Sequence, residues 1–530
     1  MKITEFLFVI LFLSLSVSLY SMPPHPDAVV EHQKNGQLKS LMNKVESLNN
    51  MTNMDLPLKA FPASGTMRVP VLLVKYAVPY EASSEMIFYK RFFNHDNLPL
   101  QGLLVLFIVS FLFIFTNPFK LNIVYLKPLI PVYFALFSFM ISCGVPPEED
   151  QSGIFPTDKS VYSRILNGST LSVRKYYQDM SRNNLNLTFD IYGPVTVSKS
   201  WDYYGENDLS GNDLRPRELV SEALRLLVSK YNSVNFKIYD NDNDGYVDAA
   251  IIIHQGPGEE VKTSIKSLIW SHQWSLASPV STGDGVSFQV YTIQPEYTQN
   301  PGDSSMGVFA HEFGHVLGLP DLYDTSGQTN GVGDWSLMAS GAWKGTGAAN
   351  DGTAPAPLLA WERLKTGGTG AGKWVTITEL ASAGNQQIAD IETSGEVFKR
   401  VFETAAGKRQ YLLVEGKAAS ASSQWYVPGS GILVSHIHED VISSYTSSNT
   451  VNYGSSRIHG VNIIEADGTH LWSKANSGNA ADLFTSGGLP LISNYDADAS
   501  PYASTPVTLV SVGITGIQTG TVPWSFNYTP

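Results

Sequence analysis

The stretch His311-Glu312-Phe313-Gly314-His315-Val316-Leu317-Gly318-Leu319-Pro320-Asp321 carries more information than any other part of the 530-residue chain. Two histidines four residues apart on a helix lie on one face, with β-carbons about 5–6 Å apart, which suits two imidazoles binding one metal ion. Glu312 stands between them, where a carboxylate can act as general base on a water activated by the metal. The pattern predicts His311 and His315 as zinc ligands and Glu312 as a catalytic residue.

The third protein ligand has two candidates. Gly318 follows His315 by three residues and allows a turn with positive φ, so that Asp321 can return to the metal. Glu362 is the alternative, because another type of zincin takes its third ligand from a later helix. We prefer Asp321, because Gly318 belongs with a nearby ligand. Met338, 17 residues beyond Asp321, belongs with it too and predicts a methionine turn beneath the metal.

At this point the sequence resembles the immune inhibitor A-like family of secreted zinc metallopeptidases, which is metzincin-like. The resemblance depends on the zinc segment 311–324 and the Met338 turn, and it covers roughly residues 160–520 with a fragment near 66–76. Shorter matching segments flank the zinc segment: 172–177, 240–248, 270–272, 428–433, 465–468 and 481–484.

The resemblance implies an endopeptidase that hydrolyses proteins or peptides with Zn²⁺ as cofactor. It implies that the substrate lies extended along an edge strand of the catalytic domain, and that a prosegment stands at the position of residues 23–65, for which a flexible leader is the alternative. An alternative function of another class is a surface-anchored binding or adhesion protein whose protease domain is inert. The intact zinc motif favours the enzyme.

Composition and the N-terminal residues narrow the class of protein. The net charge is −13 and only 16% of residues are charged, which excludes the basic stripe that a nucleic-acid partner requires. Lys2 precedes an apolar run over 6–20 and small residues, which predicts a signal peptide over 1–22 and a secreted or extracellular protein; an uncleaved anchor helix is the alternative. Cys143 is the single cysteine, so no intramolecular disulfide can form.

An apolar insertion interrupts the predicted catalytic domain. Two apolar runs cover 98–115 and 129–142, and the first is long enough to span a bilayer. The insertion and its linker, residues 83–158, fit a membrane hairpin, a lipoprotein-type signal with Cys143 as the lipidated residue, or segments that were never translated together. The first two alternatives imply membrane or lipid anchoring through residues 98–143.

The remaining pattern predicts two domains. Residues 66–82 carry a buried-strand pattern that would be the first strand of an α/β zincin-like catalytic domain, and residues 159–365 would supply the rest, including single helices over 161–180 and 217–231. Residues 366–530 show short strand-like runs between glycine, serine and proline, which predicts an all-β, sandwich-like C-terminal domain.

An acidic loop is a candidate calcium site. Carboxylates stand at positions 1, 3, 5 and 9 of an EF-hand-like loop, with glycine at position 6; these carboxylates are Asp240, Asp242, Asp244 and Asp248. Position 12 is Ile251 rather than glutamate, so another residue would have to complete the ligand shell. The alternative is an acidic turn that precedes a strand.

Five further residues are weaker candidates. His272 is predicted to be structural rather than part of the cleft, and so are His436 and His438, which alternate along one strand without a third ligand. Asp324 is open between orienting a ligand and forming a turn. Tyr323 is open between the core and the cleft.

Overall fold

The computed structural model describes residues 20–49, 62–78 and 159–529, with gaps at 210, 299–302, 347–349, 404–408, 420–422, 469–470, 472–475, 487–490, 497–508 and 520–522. Apart from Val78, the described residues belong to one compact unit, which comprises residues 1–77 and 156–530. The predictions for most of the signal peptide, for both apolar runs and for Cys143 fall outside these residues. Among the described residues, no helix combines the length and the apolar character needed to cross a membrane.

The N-terminal described residues form a segment of their own, which we name the leader segment (residues 20–49). It contains strand β1 (Tyr20–Ser21) and helices α1 (Pro26–Lys34) and α2 (Leu38–Asn49). Proline at the first position of α1 suits a helix start, because its missing N–H would have no partner there. The buried face of α2 includes Leu41, Met42 and Val45.

A seven-stranded mixed sheet is the centre of the catalytic region. Its members are β1, β2 (Gly65–Lys75), β3 (Leu185–Thr196), β4 (Tyr246–Val247), β5 (Ala250–Pro257), β6 (His272–Ser281) and β7 (Ser287–Tyr297). The strand order is β1-β6-β7-β5-β2-β3, with β4 paired to β7. The pairs β2–β3, β2–β5 and β5–β7 are parallel, whereas β6 runs antiparallel to both β7 and β1.

Helices cover this sheet as the apolar periodicity predicts. They are α3 (Ser160–Asn167), α4 (Val173–Met180), α5 (Trp201–Tyr204), α6 (Pro216–Lys230) and α7 (Met306–Val316). The single helix predicted over 161–180 is wrong, because the chain breaks between α3 and α4. Leu171 has φ +44° there, and the Ser172 hydroxyl caps α4 by accepting from the Lys175 N–H.

The C-terminal region forms two further sheets. The five-stranded sheet has the order β13-β12-β11-β10-β8, and the four-stranded sheet has the order β14-β15-β16-β9. The strands are β8 (Thr376–Glu379), β9 (Gly384–Ile388), β10 (Glu396–Glu403), β11 (Arg409–Lys417), β12 (Gly431–His438), β13 (Val461–Ile464), β14 (Leu491–Asp496), β15 (Leu509–Gln518) and β16 (Trp524–Thr529). Helices α8 (Ala360–Gly367), α9 (Ile391–Ser394) and α10 (Glu439–Tyr445) lie before and between them.

The two C-terminal sheets share one hydrophobic core. Leu412, Val414 and Val434 from the five-stranded sheet belong to the same buried cluster as Trp524 and Phe526 from the four-stranded sheet. Alternate residues of β16 are buried, as expected for a strand with one face on a core. The fold is therefore α/β in the catalytic region with β-sheets after it, as the sequence predicts at this level.

Candidate metal centre

Helix α7 places two imidazoles side by side in the interior. All eleven of its residues are buried, and its hydrophobic face packs under the sheet against β6 and β7. The rings of His311 and His315 meet edge to face with centroids 4.7 Å apart, and their Nε2 atoms are 3.1 Å apart. Four-residue spacing on a straight helix produces this pairing.

Asp321 completes a triangle of donor atoms. The chain leaves α7 through Gly318, whose φ of +88° is the left-handed turn that the sequence predicts. The Asp321 Oδ1 atom then lies 3.1 Å from His311 Nε2 and 3.3 Å from His315 Nε2. Ligands of a tetrahedral zinc with bonds of about 2.0–2.1 Å lie about 3.3 Å apart. The three donors, all buried, therefore fit a zinc ion.

Main-chain carbonyls fix the tautomer of both histidines. The Nδ1 atom of His311 lies 2.9 Å from the Leu337 carbonyl oxygen, and that of His315 lies 2.7 Å from the Leu319 carbonyl oxygen. Nδ1 donates in each case, so Nε2 keeps the lone pair that a metal requires. Burial lowers the pKa of His315, which favours the neutral form. Burial also acts to raise the pKa of Asp321, but the two imidazoles outweigh it and lower this pKa to about 2.

Asn449, from the C-terminal region, holds Asp321 in place, and no sequence pattern predicts this contact. Its side-chain carbonyl accepts from the Asp321 N–H at 2.8 Å, and its amide donates to Asp321 Oδ2. Asp321 Oδ1 has no hydrogen-bond partner in the described part of the chain and faces the imidazoles. Asn449 has φ +51°, a conformation that asparagine tolerates better than most residues. A positive-φ asparagine after α10 is not recognisable in a single sequence.

Glu312 lies beside the triangle in a dry environment. Its carboxyl group is fully buried, and neither oxygen has a hydrogen-bond partner among the described residues. Burial, followed by the negative charges of Asp321 and Glu260, raises the pKa of Glu312 well above its ordinary value, and the nearby Met22 backbone opposes this. A carboxyl group without partners beside a donor triangle is available for proton transfer.

Met338 packs against the turn of α7 that lies between the two histidines. A β-carbon at Gly314, between the two histidines, would lie 2.6 Å from the Met338 sulfur, so glycine is needed for this contact. The Ser336 hydroxyl accepts from the Met338 N–H and donates to Glu362 Oε1 at 2.7 Å. Glu362 thus supports the methionine turn and the start of α8, and it does not join the triangle.

The leader segment covers this centre. Its β1 pairs antiparallel with β6, placing Ser21 opposite His272. The Met22 N–H donates to the Ser271 carbonyl at 3.1 Å, and the Trp270 indole donates to the Met22 carbonyl at 2.7 Å. Apart from β1, β6 pairs only with β7 in the described chain. The leader segment therefore pairs with a strand that would otherwise be an edge of the sheet, and it lies beside Glu312.

The acidic loop is partly assembled. Oxygens of Asp240, Asp242 and Asp244 lie within 4.8 Å of one another. Asp248 is not part of this group, and its Oδ2 accepts from the Asn241 main-chain and side-chain N–H groups at 3.1 and 2.6 Å. Burial raises the pKa of Asp248 to about 6. Calcium at this loop stays a prediction.

The weaker candidates take structural positions, except Tyr323. His272 contacts the Trp270 carbonyl and the Tyr291 hydroxyl. His436 contacts Gln410, and the His438 side chain caps α10.

Asp324 and Tyr323 follow the third donor closely. Asp324 accepts main-chain N–H groups from residues 326–329 and from Gly454, which makes it a loop anchor. The Tyr323 hydroxyl donates to the Ser21 carbonyl at 2.8 Å, so this side chain lies in the cleft against the leader segment.

Comparison with known families agrees with this geometry. Residues 148–375 match the family described as Immune inhibitor A peptidase M6, catalytic domain. The match covers less than half of the chain, and it shows that residues 148–375 are similar to an immune inhibitor A peptidase M6 catalytic domain. The resemblance predicted from the zinc segment is confirmed, and the match includes all three donors, Glu312 and Met338.

Curated relatives are similar to part of the chain. The pre-pro-metalloprotease PrtV of Vibrio cholerae serotype O1 is 34% identical over 236 residues, which cover 40% of this chain and 25% of the relative. Immune inhibitor A of Bacillus thuringiensis subsp. alesti is 31% identical over 237 residues, which cover 39% of this chain and 33% of the relative. The chain therefore spans a quarter to a third of the length of the curated relatives it matches.

Replacing Asn449 tests its hold on Asp321. Asn449→Gly keeps the left-handed backbone without strain and removes both side-chain contacts. Loss of a partner that orients a metal ligand costs about 10–100-fold in metal affinity, so we expect zinc affinity to fall by that factor. Competition with a chelator measures it, with the exposed Asn385→Gly as control. An unchanged affinity for Asn449→Gly would show that Asp321 is oriented by other contacts.

Proposed function

We propose that this protein is a zinc-dependent metalloendopeptidase acting on proteins or peptides. The observation that carries the proposal is the buried triangle of His311, His315 and Asp321 with the partner-free carboxyl group of Glu312 beside it. The peptidase M6 match over the same residues supports a metallopeptidase, and the relatives' names support it further. The inert adhesion protein is not favoured, because the comparisons support a peptidase and the donor geometry is intact.

The residues would divide the reaction among them. His311, His315 and Asp321 hold zinc, which when bound makes water acidic and polarises the scissile carbonyl group. Glu312 accepts a proton from the attacking water and delivers it to the leaving amine. Met338 shapes the floor and contributes no ligand. Glu362 has no chemical role here, because both its oxygens serve the start of α8 and the methionine turn.

The catalytic region would be zincin-like in how it binds its substrate. The leader segment supports this view, since its extended residues pair with β6 as a substrate chain would pair with an edge strand. A secreted, extracellular location stays part of the proposal, whereas membrane association does not. The signal peptide, predicted over 1–22, would have to end before Tyr20, because Ser21 and Met22 pair with β6 and Ser271 in the folded protein.

The leader segment would keep the enzyme latent. Its residues 21–25 form hydrogen bonds with several parts of the cleft. The Tyr323 hydroxyl donates to the Ser21 carbonyl, and the Trp343 indole donates to the Pro23 carbonyl. The His25 N–H donates to the Glu260 carbonyl. These residues are almost entirely buried, so a substrate could not reach Glu312 while they stay in place. This arrangement supports a prosegment at the position that the resemblance implies.

The proposed roles predict the effect of removing the base. In protein whose leader segment has been cut off, Glu312→Ala should lower casein hydrolysis by about 10²–10⁴-fold without loss of bound zinc. The exposed Glu379→Ala is the control, and a zinc chelator should abolish hydrolysis by the unsubstituted protein. Hydrolysis that resists the chelator, or that survives in Glu312→Ala, would contradict the proposal.

Latency predicts a difference between intact and cut protein. A recognition sequence for a site-specific protease, inserted between residues 49 and 62, allows the leader segment to be separated after folding. We expect casein hydrolysis to rise at least about tenfold after the cut, because each substrate must otherwise displace a paired strand. Protease added to protein without the inserted sequence is the control. Equal rates before and after complete removal of the leader would contradict latency.

A further inference from the structure

A lysine of the leader segment lies inside the protein rather than at its surface. Lys44 of α2 is only 4% exposed. Its ammonium group contacts the Glu259 carboxylate closely and lies 3.5 Å from Asp213 Oδ1. Both carboxylates are buried, with side chains 0% and 2% exposed. Lysine is rarely buried without such partners, so this is a specific socket for a cation.

The side chain of Trp270 lies between the socket and the cleft. The Lys44 ammonium lies 5.7 Å from the centre of the Trp270 ring, within the range of a cation–π contact. The Trp270 main-chain N–H donates to Asp213 Oδ2 at 3.0 Å, and its indole N–H donates to the Met22 carbonyl at 2.7 Å. One residue therefore contacts both the socket and the extended chain that lies beside Glu312.

The socket would be left with excess negative charge once the leader segment departs. Asp213 and Glu259 would lose Lys44. Among the residues that the structure describes, Lys266 would stay beside Glu259, at 3.4 Å, and its side chain is 54% exposed. An exposed ammonium compensates a buried carboxylate poorly, because water screens it. Two neighbouring carboxylates with an aromatic face are a suitable environment for an ammonium or guanidinium group.

We propose that Asp213, Glu259 and Trp270 form a subsite for a basic side chain, which Lys44 fills here and a lysine or arginine of the substrate fills after the leader has left. The inference rests on the proposed peptidase function, and it adds a substrate class to it. The position of Trp270 beside the extended chain means that the basic residue lies close to the scissile bond. The leader segment would thus block the main-chain site and the basic subsite together.

Matched peptides test the substrate preference. Fluorogenic peptides carry either lysine or the uncharged norleucine at each of three positions on either side of the scissile bond, and protein freed of its leader cleaves them. We expect kcat/KM to be at least about tenfold higher with lysine at one of these positions. In Asp213→Asn/Glu259→Gln the lysine-to-norleucine ratio should fall to about one. No preference for lysine at any position, or an unchanged ratio in the double variant, would overturn the proposal.

A second measurement needs no catalysis, so it separates this proposal from the peptidase function. Full-length Glu312→Ala protein with the cleavable sequence is cut, and release of the leader segment is followed by gel filtration. Lys44→Met should release the leader at least about tenfold faster than the exposed control Lys39→Met, and Lys44→Arg should restore retention. Equal release from Lys44→Met and Lys39→Met would overturn the cation socket, even if no peptide were cleaved by any form.

Discussion

Three donor atoms held within about 3.3 Å of one another are the constraint on which the rest of the site depends. Each is fixed from behind: the Leu337 and Leu319 carbonyls accept from the two imidazoles, and Asn449 contacts the carboxylate. Because the donors are buried, their mutual repulsion can be relieved only by a cation between them or by protonation. The donor set therefore fits an ion, and the surrounding packing keeps this geometry.

The C-terminal region takes part in that geometry. Asn449 comes from the loop after α10 and contacts Asp321, while Asn452 donates to the Leu322 carbonyl at 2.9 Å and Asp324 accepts from the Gly454 N–H. These contacts join the loop that carries the third donor to the β-rich region. The β-rich region is thus more than a neighbouring module, because it supplies part of the support for the metal ligand.

Asp213, Glu259 and Glu260 lie on one side of the cleft, and the leader segment places a positive charge beside the first two. Burial raises the pKa values of Glu259 and Glu260 to about 7, and Glu260 adds to the raised pKa of Glu312. The ammonium group of Lys44 in the leader segment contacts Glu259 and Asp213. The extended residues of the leader segment form hydrogen bonds with the edge of β6. Removing the leader would change the main-chain pairing and the charge balance at the same time.

The sequence predicted the parts of the site that follow from local spacing. His311, His315, Gly318 and Asp321 lie within eleven residues, so helix periodicity and one glycine turn were enough to place them. The helix predicted over 161–180 is wrong at its centre, because the positive φ of Leu171 and the helix cap at Ser172 interrupt it, and apolar periodicity reports neither feature.

Contacts between residues that are distant in the chain could not be predicted from the sequence. Asn449 is 128 residues from Asp321, and Lys44 is 215 residues from Glu259, so neither contact leaves a pattern in one chain. Asp248 was predicted beside the other loop carboxylates but bonds to Asn241, because a half-buried carboxylate takes the nearest N–H donors. The buried strand within residues 66–82 is predictable from its apolar run, but its place between β3 and β5 is not.

The assignment of Asp321 as the third zinc ligand can be tested directly by measuring bound zinc. Bound zinc should be measured in purified Asp321→Ala and Glu362→Ala after dialysis against a weak chelator, beside the unsubstituted protein. We expect Asp321→Ala to lose its zinc and Glu362→Ala to retain about one ion per chain. Zinc retained by Asp321→Ala and lost by Glu362→Ala would contradict it, since the ligand would then come from α8.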